Sequence, residues 1–365
     1  MKIKKSKFVA ITQIGWLFLA LIGVIFAVGA IKGLNLIYLI AAFMISFMFV
    51  SSFLPLIGLY NLSIDRLLPS NIFAQKPFPV EILLANRKKR FASYSIVVFD
   101  MFEGRELPRR YVIKIPPQTA ISASYEHIIQ HRGIYTFHGS KITTSYPFDF
   151  FIRGFTQRKE EKTVVYPKIV KLNPNFLADL MSEIQLHLNR PGAGTEVYGF
   201  RIYDPGDDIR NINWKITAKT SEVTVTKFSQ EQNLHIAIVF DNSISIDLPA
   251  QENHDKEKPF HELEWFESAV TFVASILSFF IEKGYKVKLV TQSGETSFGE
   301  GAKHLFQALH QLAVIQPVRE SDITKGIYHP SHLEQKLGIL VTCEKKQIPA
   351  GHFIHTFYAR GISKL

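Results

Sequence analysis

Two uncharged, apolar runs near the N-terminus, Phe8 to Ile31 and Leu34 to about Leu59, restrict this chain more than any other feature. At about 1.5 Å per residue, a helix over either run crosses a hydrocarbon layer of about 30 Å. Only Lys32-Gly33 separates them, so they predict a tight transmembrane hairpin over residues 1–60. A cleaved signal peptide would carry a shorter apolar region, with no second span directly behind it. Lys2, Lys4, Lys5 and Lys7 precede the first run, and Arg66, Lys76 and the cluster Arg87-Lys88-Lys89-Arg90 follow the second. Positive charge on both flanks places the N-terminus and the rest of the chain on the cytoplasmic side.

The remaining length allows two further domains. The formal charge of +10, from 42 Lys+Arg against 32 Asp+Glu, lacks the aromatic-interleaved basic stripe of a nucleic-acid platform, so no nucleic-acid partner is expected. Cys343 is the single cysteine, which excludes an internal disulfide and a multi-cysteine zinc site.

Residues 61–171 contain short β-branched or alternating runs such as Pro79-Val-Glu-Ile-Leu-Leu, Tyr94-Ser-Ile-Val-Val-Phe and Arg110-Tyr-Val-Ile-Lys-Ile, punctuated by Pro116-Pro117, Arg132-Gly133 and Tyr146-Pro147. This spacing predicts an antiparallel β-sandwich. His127, His131 and His138 are separated by turn signals and read as scattered strand histidines rather than metal ligands. Residues 172–233 form a linker with a dense polar motif, opened by an amphipathic helix from Asn175 to Asn189. Residues 234–365 alternate strands and helices. Ile236-Ala-Ile-Val-Phe240 leads a strand ending at Asp241; a helix carrying Leu263, Phe266, Val270, Val273, Leu277 and Phe280 is closed by Gly284. Strands at Lys286 to Thr291, Leu337 to Thr342 and near Phe353 to Tyr358, with a helix around Ala302 to Ala313, complete a doubly wound α/β domain.

Asp241, Ser243 and Ser245 stand at the end of the first buried strand, where ligands bind in open α/β sheets. One carboxylate and two hydroxyls suit a hard cation such as Mg2+; the same residues also form ordinary Asx and Ser turns. A polar loop with His254, Asp255, His261 and Glu262 follows and reads as a solvated connection. Neither a phosphate-cradling loop nor a Gly-x-Ser-x-Gly element occurs. Upstream, Arg201, Tyr203, Asp204, Pro205, Gly206, Asp207, Asp208, Arg210, Trp214 and Lys215 pack opposite charges around a Pro-Gly turn. The expected arrangement is a set of ion pairs with Trp214 packed beneath. No nucleophile and base pair lies near them, so no catalytic residue is assigned.

The α/β arrangement resembles the von Willebrand factor A fold with its metal-ion-dependent adhesion site, whose first element Asp241, Ser243 and Ser245 match. The register Lys303-His-Leu305-Phe-Gln-Ala308-Leu309 puts Lys303 at the place of that site's threonine, where its ammonium would neutralise Asp241 in place of a cation; Cys343 stands where the fold has a strand-ending Asp. Gly194-Thr-Glu196 through Lys215 resembles the signature of the domain of unknown function 58 family, with weaker landmarks at Arg132-Gly-Ile-Tyr135, Tyr146-Pro147-Phe148 and Val165-Tyr-Pro167. Asn213 stands where that family more often has Asp. The resemblance implies a multi-pass protein of the bacterial cytoplasmic (inner) membrane, with soluble domains in the cytoplasm, that works as an interaction or scaffold protein with a MoxR-type AAA+ ATPase in assembly of envelope-associated complexes. The alternative is a Mg2+-dependent phosphoryl-transfer hydrolase using Asp241, although Ser243 stands where such an enzyme has its second acid.

Overall fold

The first apolar run does not begin as a helix. In the computed structural model, which describes residues 4–188, 191–229, 235–244, 264–319, 337–343 and 353–359, strand β1 spans Lys4–Ile11 and helix α1 spans Gln13–Lys32. Thr12 makes the switch: its side chain accepts from the Gly15 backbone N–H at 2.9 Å, capping α1. Gly33, left-handed at φ 63°, ends α1, and α2 follows over Asn35–Leu59. Gly29 lets the helices approach closely, since a Cβ there would lie 3.1 Å from Ile37 Cγ2. Both helices are long and apolar enough to cross a membrane. Their outer faces are bare hydrocarbon, with Leu17 at 72%, Phe49 at 69% and Ile31 at 81% exposure.

The chain forms two compact units, Met1–Val165 and Tyr166–Leu365. In the first, β2 (Leu62–Leu67), β3 (Ile72–Phe73), β4 (Phe78–Asn86), β5 (Ser93–Phe102), β6 (Arg105–Glu106), β7 (Arg110–Ile115), β8 (Thr119–His127), β9 (Gly133–Thr144) and β10 (Phe151–Tyr166) build two antiparallel sheets. The smaller is β2-β4-β8; the larger runs β1-β10-β9-β5-β6, with β7 on β5 and β3 on β10. Strand alternation sends Leu62, Ile64, Val80, Ile82 and Leu84 from one sheet and Ile96, Val98, Ile142 and Phe155 from the other into a common core. This is the sandwich that the alternating runs predicted, with β1, N-terminal to the helices, as an added strand. The helices pack on it: Phe18 stacks on Phe150 (4.3 Å between centroids), Phe47 meets Phe148 (5.0 Å), and the Thr12 N–H donates to Phe150 O at 3.0 Å.

In the second unit, α3 (Pro174–Leu188) precedes β11 (Pro191–Ile202), a 3-10 turn at Ile209–Asn211, α4 (Trp214–Thr220) and β12 (Thr224–Ser229). The α/β part comprises β13 (His235–Asp241), β14 (Ser243–Ile244), α5 (Glu264–Glu282), β15 (Lys286–Thr291), β16 (Gly294–Glu295), α6 (Gly301–Val314), β17 (Val318–Arg319), β18 (Leu337–Thr342) and β19 (His355–Tyr358). Its main sheet has the order β16-β15-β13-β18-β19, parallel except for β16. Helix α5 is also long and apolar enough to span a membrane, yet two-thirds of its apolar window is buried. It is a core helix: Phe266 meets Phe240 of β13, and Phe272 meets Phe357 of β19 and Phe176 of α3. Ala237, Val239, Val290 and Leu340 form a second cluster with Phe298 and Phe353. β13 is thus apolar on every core position, as a strand covered on both faces must be.

Candidate functional site at the strand edge and the signature hairpin

Strand β13 carries Asp241 to the C-terminal edge of the sheet, between β15 and β18. There the carboxylate meets hydrogen-bond donors. The Ser243 hydroxyl and backbone N–H (3.1 Å) and Gln292 Nε2 (3.5 Å) reach Oδ1, and the Thr342 hydroxyl reaches Oδ2 at 3.4 Å. The Ser243 N–H contact is the Asx turn that was the plainer reading of this motif. Asp241, Asn242, Ser243 and Thr342 have no solvent exposure. Asn242 latches the covering chain: its side chain donates to Gln316 O (2.7 Å) and accepts from Gln292 N (3.1 Å), and its carbonyl accepts from Val318 N (2.9 Å). β17 then pairs in parallel with β14. The crevice that a strand edge offers is closed by the chain's own segment after α6.

These oxygens suit a hard cation in kind, but Asp241 supplies one negative charge and its lone pairs already accept four hydrogen bonds. Among the described residues no group of three His, Cys, Asp or Glu is placed to hold a metal ion. The described part of the expected set is Asp241 and Ser243. Ser245 lies outside the described residues, as do His254, Asp255, His261 and Glu262.

Lys303 is not at this edge. His304 Nε2 lies 2.7 Å from Val287 O near the start of β15, whereas Gln311 Nε2 donates to Thr291 Oγ1 (2.8 Å) at its end. Helix α6 therefore runs alongside β15 and reaches the Asp241 edge with its last turns. Four residues of strand, about 13 Å at about 3.3 Å each, separate the two levels. Lys303 is exposed in the first turn of α6 and cannot neutralise Asp241. The motif register that suggested it matched residue types without fixing the direction of the helix along the sheet.

The signature residues form a hairpin with an insertion. β11 and β12 pair antiparallel through Ile202 and Thr224, and residues 203–223 loop out between them. Asp204-Pro205-Gly206-Asp207 is a turn closed by Asp207 N to Asp204 O at 3.0 Å; Gly206, at φ 122°, needs the freedom only glycine has. Arg201 pairs with Asp207, whose carboxylate raises the guanidinium pKa, and Asp207 Oδ2 accepts from Asp204 N at 3.0 Å. Asp208 caps the 3-10 turn, and Asn213 caps α4 by accepting from Ile216 N (3.2 Å). Asn213 Nδ2 lies 3.4 Å from Thr226 Oγ1, a donation that an Asp at this position could not make. Tyr203 holds the base of the insertion through its N–H to Val223 O (2.7 Å).

Two expectations change here. Arg210 and Lys215 are exposed and make no ion pair among the described residues, whereas Arg201 pairs with Asp207. Trp214 is not packed beneath the turn but 66% exposed. The inner side is filled by Thr224, Val225 and Thr226 of β12, and the seven-residue α4 has no buried face. Phe200 (49%), Ile202 (63%), Ile209 (66%) and Val223 (41%) are exposed with it. Charged residues dominate this stretch of sequence, and the alternation Phe200-x-Ile202 beside the turn is the signal for its apolar face.

Residues 199–344 match the family model described as Protein of unknown function DUF58. The matched segment runs from the signature hairpin to the residue after Cys343, taking in β13 and Asp241. Uncharacterized proteins of Mycobacterium bovis and Mycobacterium tuberculosis are 39% identical over 58 residues, which is 16% of this chain. The aligned stretch spans 18% of the length of those relatives. Among solved structures, the CARDB domain of a Pyrococcus furiosus protein is similar at 12% identity and TM-score 0.20, covering 26% of this chain and 90% of that one. The sporulation control protein Spo0M of Bacillus subtilis is similar at 11% identity and TM-score 0.17, covering 40% and 58%. These scores lie too low to define a shared fold.

Proposed function

We propose that this chain is a DUF58 protein anchored in the bacterial cytoplasmic membrane, whose cytoplasmic α/β unit docks a protein partner through the signature hairpin. One observation carries the reading: five large apolar side chains, Phe200, Ile202, Ile209, Trp214 and Val223, stand exposed within one hairpin and its insertion. Arg210, Lys215 and Asp208 are exposed among them. An aromatic and aliphatic centre with a charged rim is the make-up of a protein interface. Anchoring is supported by α1 and α2, whose apolar faces only lipid would remove from water. The strand order, with one antiparallel edge strand and Asp241 at the end of the first parallel strand, supports a von Willebrand A-like fold for the α/β part. A MoxR-type AAA+ ATPase is the proposed partner, in assembly of envelope-associated complexes.

The hydrolase alternative has less support. Asp241 has no solvent exposure and its oxygens meet internal donors, which favours the docking reading over a nucleophilic carboxylate.

The test is binding of the full chain in nanodiscs to a purified MoxR-type ATPase from the same genome, beside Ile209→Asp and Trp214→Ala. Either variant removes an exposed contact, so the fold is retained while affinity falls about tenfold or more. Equal binding by wild type and both variants sinks the hairpin as the docking surface; no binding by wild type sinks the ATPase as partner.

A further inference from the structure

The DUF58 segment leaves one cavity of the first unit without a role. It has a volume of about 540 Å³ and lies where the last turns of α2 meet the sandwich, lined by Pro55, Ile57, Arg90, Tyr94, Lys114 and Tyr146 among others. Its wall is tied together by hydrogen bonds. Lys88 is buried and donates from Nζ to Ile57 O (3.1 Å), Gly58 O (2.5 Å) and Ser93 Oγ (2.7 Å), so it caps the C-terminal carbonyls of α2 with a cation. Asn86 Nδ2 donates to Phe91 O and Ile115 O (both 3.0 Å), tying the Arg87 to Ala92 connection to the end of β7. Tyr94 stacks on Tyr146 at 5.1 Å, and Lys114 Nζ sits 5.7 Å from the Tyr94 ring centre.

The chemistry of this cavity is uneven. Its floor and sides are the helix end, prolines and tyrosine rings, whereas both ionic groups among the lining residues, Arg90 and Lys114, are cations and exposed. Arg87 and Lys89 add two more exposed cations on the same connection, and Phe91 stands 61% exposed beside them. Helix α2 has 25 residues, about 37 Å at about 1.5 Å each, against about 30 Å of hydrocarbon. Its last turns therefore emerge at the level of lipid headgroups, where aromatic rings and basic side chains are favoured.

We propose that this cavity is a binding site for an anionic phospholipid of the leaflet facing the sandwich. Arg90 and Lys114 receive the phosphodiester, and the acyl chains run down the exposed face of α2 beside Ile57. Lys88 is a positioning residue, committed to the helix carbonyls. The charge complementarity selects an anionic lipid over a zwitterionic one, and the apolar floor selects a lipid over free phosphate. The proposal rests on the membrane-anchored reading above.

The experiment is calorimetric titration of the detergent-purified full chain with short-chain phosphatidylglycerol, short-chain phosphatidylcholine and inorganic phosphate. Wild type, Arg90→Gln/Lys114→Gln and a control with the same charge change elsewhere, Lys286→Gln/Lys303→Gln, are compared. Phosphatidylglycerol should bind about tenfold or more tightly than phosphatidylcholine in wild type and control, and the preference should vanish in the Arg90/Lys114 variant. Equal affinity for both lipids, or an unchanged preference in that variant, overturns the proposal. Phosphate binding as tightly as phosphatidylglycerol overturns the lipid in favour of a free anion. Carbonate extraction of native membranes checks anchoring separately: a chain that washes off fails the anchoring reading, while a chain that stays without a lipid preference fails only the site.

Discussion

Arg66 and Asp100 lie side by side inside the sandwich, with side chains 4% and 1% exposed. Arg66 Nε donates to Asp100 Oδ2 at 2.9 Å, the other end of its fork reaches Oδ1 and Gly139 O, and its guanidinium sits 4.5 Å from the centre of Phe137. Tyr125 (2.7 Å) and Ser140 (2.9 Å) donate to the same carboxylate. Burial and then Asp100 raise the Tyr125 pKa, which keeps the phenol a donor. Burial lowers that of His127, whose ring packs edge-on against Phe78 and Phe102. Buried charge of this kind is expensive to leave unpaired. Arg66→Met should destabilise the full chain in detergent by about 3–5 kcal/mol, and Arg66→Met with Asp100→Asn should be distinctly less destabilised, because the carboxylate left without Arg66 is then Glu161, 3.6 Å from it and 36% exposed, rather than the buried Asp100. Thermal unfolding measures both; a single variant within about 1 kcal/mol of wild type would show the pair to be unimportant. Read in the sequence, Arg66 was one positive charge after a span. Nothing local marks it as half of a buried pair, because Asp100 arrives from another strand. Lys88 is a parallel case: it belongs to a basic run, yet burial pushes it down to about 8 and its ammonium caps a helix.

At the scale of elements, local chemistry and position in the sheet carry different information. Thr12, Gly33 and Gly284 mark helix ends for reasons contained in the sequence: an oxygen for an unpaired N–H, and a residue without a Cβ where φ turns positive. Gly15 has a reason visible only in the packing. A Cβ there would lie 2.3 Å from Phe150 O, so the first turn of α1 rests on the backbone of the loop before β10. Gly15→Val should leave α1 helical and apolar but push it off this loop. Cysteine crosslinking between Phe18→Cys and Phe150→Cys reports the outcome: efficient in the wild-type background, reduced severalfold beside Gly15→Val. Equal yields would mean that the helix shifts without losing its seat. The Asp241 strand end shows the same division. Its apolar run and terminal carboxylate are legible residue by residue, whereas the Gln316–Arg319 segment that closes over it, and the direction of α6 that removes Lys303, follow from how the sheet is wound.

For the whole molecule, the apolar hairpin is part of the first unit rather than a detachable anchor. Strand β1 pairs with β10 through eight residues, from Lys4 with Arg158 to Ile11 with Phe151, and the two helices pack against Phe148 and Phe150. Removing residues 1–60 would uncover the β10 edge and these rings together, and an uncovered edge invites pairing between copies. A chain starting at Asn61 should aggregate or elute as oligomers in size-exclusion chromatography, and a monodisperse monomer would count against this account. The sequence by itself determined the two apolar helices, the alternating strands of the sandwich, the strand and helix alternation of the second unit, and the turn chemistry of the signature. All of these rest on periodicity and on residues acting within a few positions of one another. Only the tertiary structure decided that Phe8 belongs to a strand, that Trp214 faces outward, that Lys303 lies about 13 Å of strand away from the level of Asp241, and that Arg66 is buried. Those outcomes depend on which distant segments fill a given volume, and a neighbouring residue in sequence carries no record of that.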